Sequence, residues 1–133
     1  MRYRYIAYKY TRKSQPLDSY GTAWESFGFW PAPSAIIWKP PTDVYETVLD
    51  LVVVMELAGI REEDITVTLF SDLLVVEGKR DQPDFADTHA CHQLGIQYGS
   101  FRSEIGLAVP VDHESITTEY HKGLLEIRLK KLL

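Results

Sequence analysis

The 133-residue sequence holds one cysteine, Cys91, and no asparagine at all. A single thiol cannot close an intramolecular disulfide, so nothing staples the fold, and a reducing compartment is the simpler setting. Without asparagine there is no N-glycosylation acceptor. Long apolar runs are missing too: the longest, residues 51–55, is strand-sized and far short of the roughly 20 residues that cross a bilayer. The first thirteen residues alternate aromatics with Arg and Lys and lack the apolar stretch of a secretory signal. The expected address is therefore the cytoplasm, with no membrane partner.

Chemistry-bearing motifs are equally scarce. Gly78-Lys79 has neither the upstream glycine nor the following helix of a phosphate-binding loop, and Gly78 reads instead as a feature of a strand. No G-x-S-x-G elbow surrounds Ser100, and a site assembled from Ser100 with His113 or His121 would rest on composition alone. His89, Cys91 and His92 crowd together, but no second Cys/His pair stands at zinc spacing, and adjacent residues of an extended chain face opposite ways. The expectation is a protein that is not an enzyme and that takes no cofactor and no metal.

Charge and aromatics are both distributed unevenly. Residues 1–38 carry five basic residues against two acidic ones, a balance of +3, and residues 39–133 carry nine against seventeen, a balance of −8. An acidic body argues against nucleic acid, whose phosphates need a basic face. Ten of the sixteen aromatics lie in the same first 38 residues: Tyr3, Tyr5, Tyr8, Tyr10, Tyr20, Trp24, Phe27, Phe29, Trp30 and Trp38. This stretch has no sustained helical period and only a short alternation at Tyr3 and Tyr5, and Pro16, Gly21, Gly28, Pro31 and Pro33 interrupt it. Two readings stand open: a flexible, adhesive arm, or rings that extend the core of the following domain.

Beyond Pro40 and Pro41 the pattern becomes strands punctuated by turns. Residues 48–57 suit a central strand buried on both sides, stopped by Gly59. Glu62, Glu63 and Asp64 make an acidic turn. Ile65, Val67 and Leu69 then alternate with polar neighbours, and residues 73–79 read as the return of a hairpin. Residues 81–98 form a long excursion, in which 91–98 could be a strand at its tip. A strand is expected over 101–109, another where Ile116, Thr118 and Tyr120 alternate, and a last one through Leu125, Ile127 and Leu129 after a turn at Gly123. Strands at this spacing with no amphipathic helix between them predict an all-β, antiparallel, immunoglobulin-like sandwich.

Five local motifs, in order, resemble the α-crystallin domain of small heat shock proteins over about residues 38–131. They are Trp38-Lys39-Pro40-Pro41-Thr42-Asp43-Val44-Tyr45-Glu46, Glu56-Leu57-Ala58-Gly59-Ile60, Leu74-Val75-Val76-Glu77-Gly78-Lys79-Arg80, Tyr98-Gly99-Ser100-Phe101 and Lys122-Gly123-Leu124-Leu125. Ala58 stands where proline is usual, and Ser103 where an interface arginine is frequent, with Arg102 one position early. The resemblance implies a division into an arm (1–37), an α-crystallin domain (38–131) and a vestigial tail (132–133). It implies an ATP-independent holdase that binds partly unfolded client proteins and passes them to ATP-dependent chaperones. Its client-binding residues would be Tyr3, Tyr5, Tyr8, Tyr10, Tyr20, Trp24, Phe27, Phe29 and Trp30. A second client surface would be a groove between two strands, lined by some of Ile65, Val67, Leu69, Ile116, Thr118 and Tyr120. A strand-exchanged homodimer would use Cys91, Gln93, Leu94, Ile96, Tyr98 and Arg102 against Val44 and Tyr45 of the partner. Leu129 is followed by four residues and no I-x-I/V motif, which on the resemblance implies a dimer or small oligomer with an open groove, unless residues 24–30 or Ile36-Ile37 fill it. The reading from a different class is a p23-like cochaperone, a dedicated interaction module on the same sandwich.

Overall fold

A computed structural model of the chain describes residues 2–5 and 37–132. The strands are β1 (Arg2–Tyr5), β2 (Thr42–Glu46), β3 (Asp50–Glu56), β4 (Ile65–Leu69), β5 (Leu73–Arg80), β6 (Gly99–Gly106), β7 (Thr117–His121) and β8 (Leu124–Lys130). They form two four-stranded sheets, ordered β1-β4-β5-β6 and β2-β3-β8-β7. Every pairing is antiparallel except that of β1 with β4. This is the expected all-β sandwich of two sheets.

Period-two alternation builds the core. Leu51, Val53 and Met55 of β3 and Leu125, Ile127 and Leu129 of β8 face Ile65, Val67 and Leu69 of β4 and Leu74 and Val76 of β5, all buried in one cluster. Burial of a side chain of this size stabilises by about 1.5–3 kcal/mol, so these strands hold the molecule together. Leu57 and Ile60 carry the chain from one sheet to the other and are buried too, with Gly59 between them at φ 75°.

The β7–β8 hairpin closes on two residues, Lys122 at φ 51° and Gly123 at φ 80°. Positive φ at both positions marks the turn whose twist matches the flanking strands. The Gly78 position has a different cause. Gly78 stands opposite both Ile65 and Phe101, and a β-carbon there would collide with the Asp64 carbonyl oxygen and come within 2.7 Å of the Phe101 ring.

Several boundaries differ from the sequence pattern. The strand expected over 48–57 begins at Asp50, because Thr47 accepts the Asp50 amide through Oγ1 at 2.8 Å and bends the chain into a hairpin whose exposed tip is Val48 and Leu49. The strand expected over 101–109 runs from Gly99 and stops at Gly106. No strand forms within 81–98, where residues 91–98 were expected to extend: a single chain offers that segment no neighbouring backbone to pair with.

Candidate functional site: the open edges of the two sheets

At one side of the sandwich the chain crosses between sheets. Trp38 lies along the outer edge of β6, donating its amide to Ser100 O at 3.1 Å and accepting from the Arg102 amide at 3.1 Å. Pro40 and Pro41 have no N–H to continue that pairing, so the chain leaves β6 and becomes β2 at Thr42. Behind the crossing an open cleft of about 550 Å³ separates β2 from β6, lined by Lys39, Thr42, Val44, Ser103 and Ile105 among others. Ser103 points into it from a buried position, and its hydroxyl has no hydrogen-bond partner among the described residues. Arg102, one residue earlier, faces outward, where it pairs with Glu77 at 2.9 Å and Glu104 at 3.3 Å. Partial burial works against its charge, but the two carboxylates outweigh that and hold its pKa above the ordinary value.

Among the described residues β2 pairs only with β3, so its outer backbone edge is free. Its side chains are unusually exposed for apolar groups, Val44 at 47% and Tyr45 at 54%. The Tyr45 hydroxyl donates to Asp43 Oδ2 at 3.1 Å, and that bond raises the phenol pKa. The 81–98 excursion shows matching exposure, with Leu94 at 67% and Ile96 at 65% and Cys91 and Gln93 likewise open. Of the residues expected to meet across a dimer, Val44, Tyr45, Cys91, Gln93, Leu94 and Ile96 thus lie uncovered in the single chain, on two separate elements, whereas Tyr98 is half-buried. Arg102 is tied up within its own sheet.

The base of the excursion is fastened. Arg80, the last residue of β5, donates to Gln97 O at 2.9 Å and Ala58 O at 3.1 Å. Its guanidinium lies 4.3 Å from the Trp38 ring centroid and 5.9 Å from that of Tyr98. Trp38 in turn packs at 5.4 Å on Phe101 and donates its indole N–H to Gly99 O at 3.1 Å. Arg80 was not among the expected functional residues. Its partners are distant in sequence, and only the close of a strand in Leu74-Val75-Val76-Glu77-Gly78-Lys79-Arg80 hinted at a basic residue here.

The opposite side of the sandwich carries the expected groove, and there the residues are placed differently. Ile65, Val67 and Leu69 are each 0% exposed, on the inward face of β4, and belong to the core. Ile116 and Tyr120 are half-buried against that core, and the Tyr120 hydroxyl is spent on Leu57 O at 2.6 Å. Only Thr118 is open to solvent. The edge of β4 is not open either: β1 pairs with it in register, Arg2 with Thr66 through Tyr5 with Leu69. Of the segments expected to fill the groove, residues 24–30 lie outside the described residues. Ile37 is exposed, and Ile36 lies outside the described residues. Of the expected arm residues, Tyr3 and Tyr5 lie in β1, whereas Tyr8, Tyr10, Tyr20, Trp24, Phe27, Phe29 and Trp30 lie outside the described residues.

Among the described residues no three His, Cys, Asp or Glu side chains gather as metal ligands would, and no helix is long and apolar enough to cross a membrane. What the geometry offers is edges: backbone groups ready to accept another strand, with apolar side chains beside them. A family model for Hsp20/alpha crystallin proteins matches residues 43–133. The chain belongs to the Hsp20/alpha crystallin family. It is 32% identical over 95 residues to small heat shock protein C4 of Rickettsia felis, across 71% of this chain and 58% of that protein. To small heat shock protein C2 of the same organism it is 27% identical, across 69% and 60%. The match thus spans less than two thirds of the length of either relative. Among solved structures, hspA from Xanthomonas axonopodis is 30% identical with a TM-score of 0.65, covering 72% of this chain and 96% of that one. A small heat-shock protein from Xylella fastidiosa is 28% identical with a TM-score of 0.66, covering 74% and 90%.

Proposed function

We propose that this chain is an ATP-independent holdase that binds partly unfolded proteins and keeps them from aggregating, and that it works as a strand-exchanged dimer. Membership of the Hsp20/alpha crystallin family supports a chaperone role in general. The observation that carries the finer reading is the coincidence of a free β2 edge beside exposed Val44 and Tyr45 with an unpaired segment bearing exposed Leu94 and Ile96. Each is half of a β-augmentation, and two copies related by a twofold axis would complete both halves at once, covering an edge that is otherwise prone to aggregate. The aromatic excess of residues 1–38 supports the arm as a client surface, because rings supply large contact area at low entropic cost and no demanding geometry. Held clients would pass to ATP-dependent chaperones. The chemistry asks for no catalytic group, nucleotide or metal, and the single exposed Cys91 suits a reducing, cytoplasmic setting.

The test has two arms. Nucleotide-free light scattering of a thermally aggregating client should fall with rising protein, and no effect at subunit excess would favour the cochaperone reading. Leu94 and Ile96 are largely exposed in the single chain and lie outside its core, so Leu94→Pro or Ile96→Pro should leave the sandwich folded while removing the exchanged pairing. Native mass spectrometry should then show monomers, and an unchanged dimer mass would refute the exchange.

A further inference from the structure

The two most exposed large apolar side chains among the described residues are Val48, at 84%, and Phe85, at 70%. Neither lies on β2 or within 91–98. Val48 forms the tip of the β2–β3 hairpin with Leu49, and exposed Leu132 sits beside them, because the Lys131 amide donates to Leu49 O at 2.8 Å. Phe85 opens a tight turn in the excursion, where its carbonyl accepts from the Thr88 amide at 2.9 Å and from Thr88 Oγ1 at 2.6 Å. Both apolar groups are thus presented by ordered backbone, which lowers the entropic cost of covering them. Their charged surroundings are opposite. Around the tip, Lys131 pairs with Glu46 and Arg128 with Asp50, which leaves Lys130 without a carboxylate partner among the described residues. On the excursion Asp81 pairs with Lys79, while Asp84 and Asp87, on either side of Phe85, have no basic partner among the described residues.

The two places cannot meet within one chain. The excursion leaves from Arg80, which bonds to Ala58 O at the end of the sandwich where β3 finishes, and the tip lies at the other end, beyond the start of β3 at Asp50. The strand from Asp50 to Glu56 puts about 20 Å between those ends, whereas the chain from Arg80 to Phe85 reaches at most about 17 Å when fully extended. Two copies related by a twofold axis perpendicular to their β2 strands do meet there: the axis reverses strand direction and sets the excursion end of each copy beside the tip end of the other. We infer that in the dimer the 84–88 turn of each copy docks on the β2–β3 tip of the other, with Phe85 against Val48, Leu49 and Leu132 and with Asp84 and Asp87 facing Lys130. This rests on the dimer reading and adds to it a side-chain contact separate from the backbone pairing of 91–98 with β2. The contact also fixes the relative direction of the copies, since a free edge by itself accepts parallel and antiparallel strands alike. Backbone pairing is indifferent to sequence, but a ring between two carboxylates fitted to an apolar tip beside an ammonium is not, so the contact selects a second copy of this chain over an arbitrary extended segment.

Two measurements test it. In a Cys91→Ser background, one preparation carries Leu49→Cys and another Phe85→Cys; mixed and mildly oxidised, they should give the mixed disulfide dimer in about tenfold excess over either symmetric one. A merely statistical mixture, or no cross-link at all, overturns the contact. Leu49→Ser and Phe85→Ser, both at exposed positions, should each weaken the dimer about tenfold in sedimentation at graded dilution, and the double variant no further, because either change removes the same contact. Lys130→Glu should weaken it as well, and adding Asp84→Lys with Asp87→Lys should restore it. Multiplying losses in the double variant, or no rescue by the reversed charges, overturn the contact. Leu94→Pro separates it from the strand exchange. A dimer that survives Leu94→Pro yet weakens with Phe85→Ser refutes the exchange and keeps the docked turn, and a dimer lost with Leu94→Pro but indifferent to Phe85→Ser does the reverse. A parent chain that stays monomeric overturns both.

Discussion

Gly78→Ala isolates the contact that holds the two strand ends beneath the fastened loop. The added β-carbon meets the Asp64 carbonyl oxygen on one side and the Phe101 ring on the other, at 2.7 Å from Cζ and 2.9 Å from Cε1. The carbonyl cannot retreat cheaply, because the next residue, Ile65, is paired to Gly78 itself and is fully buried. The ring cannot swing freely either, since it is buried and packed against Trp38, which carries Arg80. Overpacking of a tight core costs about 1–3 kcal/mol, and a clash with backbone as well as a ring belongs at the upper end, about 3 kcal/mol. With a urea slope of about 1.5 kcal/mol per molar for a domain of this size, the unfolding midpoint should fall by roughly 2 M. The control is Gly106→Ala, on the neighbouring strand, where a β-carbon meets nothing within 4 Å. That variant should stay within about 0.5 kcal/mol of the parent. The reasoning is refuted if Gly78→Ala shifts the midpoint by less than about 0.5 M, or if both variants shift it alike.

Two further outcomes are expected. Lys122 holds a positive φ that asparagine tolerates better, so Lys122→Asn should stabilise the hairpin by about 0.5–1 kcal/mol in thermal unfolding, and a loss would show that the lysine side chain contributes a contact of its own. Ser103 buries a hydroxyl without a partner among the described residues, so Ser103→Ala should raise stability by about 1 kcal/mol in urea unfolding. Destabilisation of that size would mean that the hydroxyl is satisfied, by a trapped water or across a dimer.

The sandwich itself was legible in the sequence. Alternation at Ile65, Val67 and Leu69, and at Leu125, Ile127 and Leu129, is a local property, because side chains two apart on a strand share a face whatever the rest of the chain does. Turn chemistry is local as well, which is why Gly59 and Gly123 marked real turns. Alternation cannot tell which neighbour an apolar face will meet, so Ile65, Val67 and Leu69 read equally as groove or core, and it is the opposing sheet that covers them. Long-range decisions belonged to the tertiary structure alone. Arg80 became the anchor of the 81–98 loop because folding brings it to Trp38, Tyr98, Gln97 and Ala58. Gly78 owed its identity to a ring 23 positions away rather than to any strand rule. Pairing of Arg2–Tyr5 with β4 joined two segments more than sixty residues apart. The sequence by itself determined which residues could form strands and which faces were apolar, since both follow from covalent geometry over a few residues. Which edges are covered, and by what, depends on backbone donors and acceptors meeting across the whole chain, and that only the folded arrangement decided.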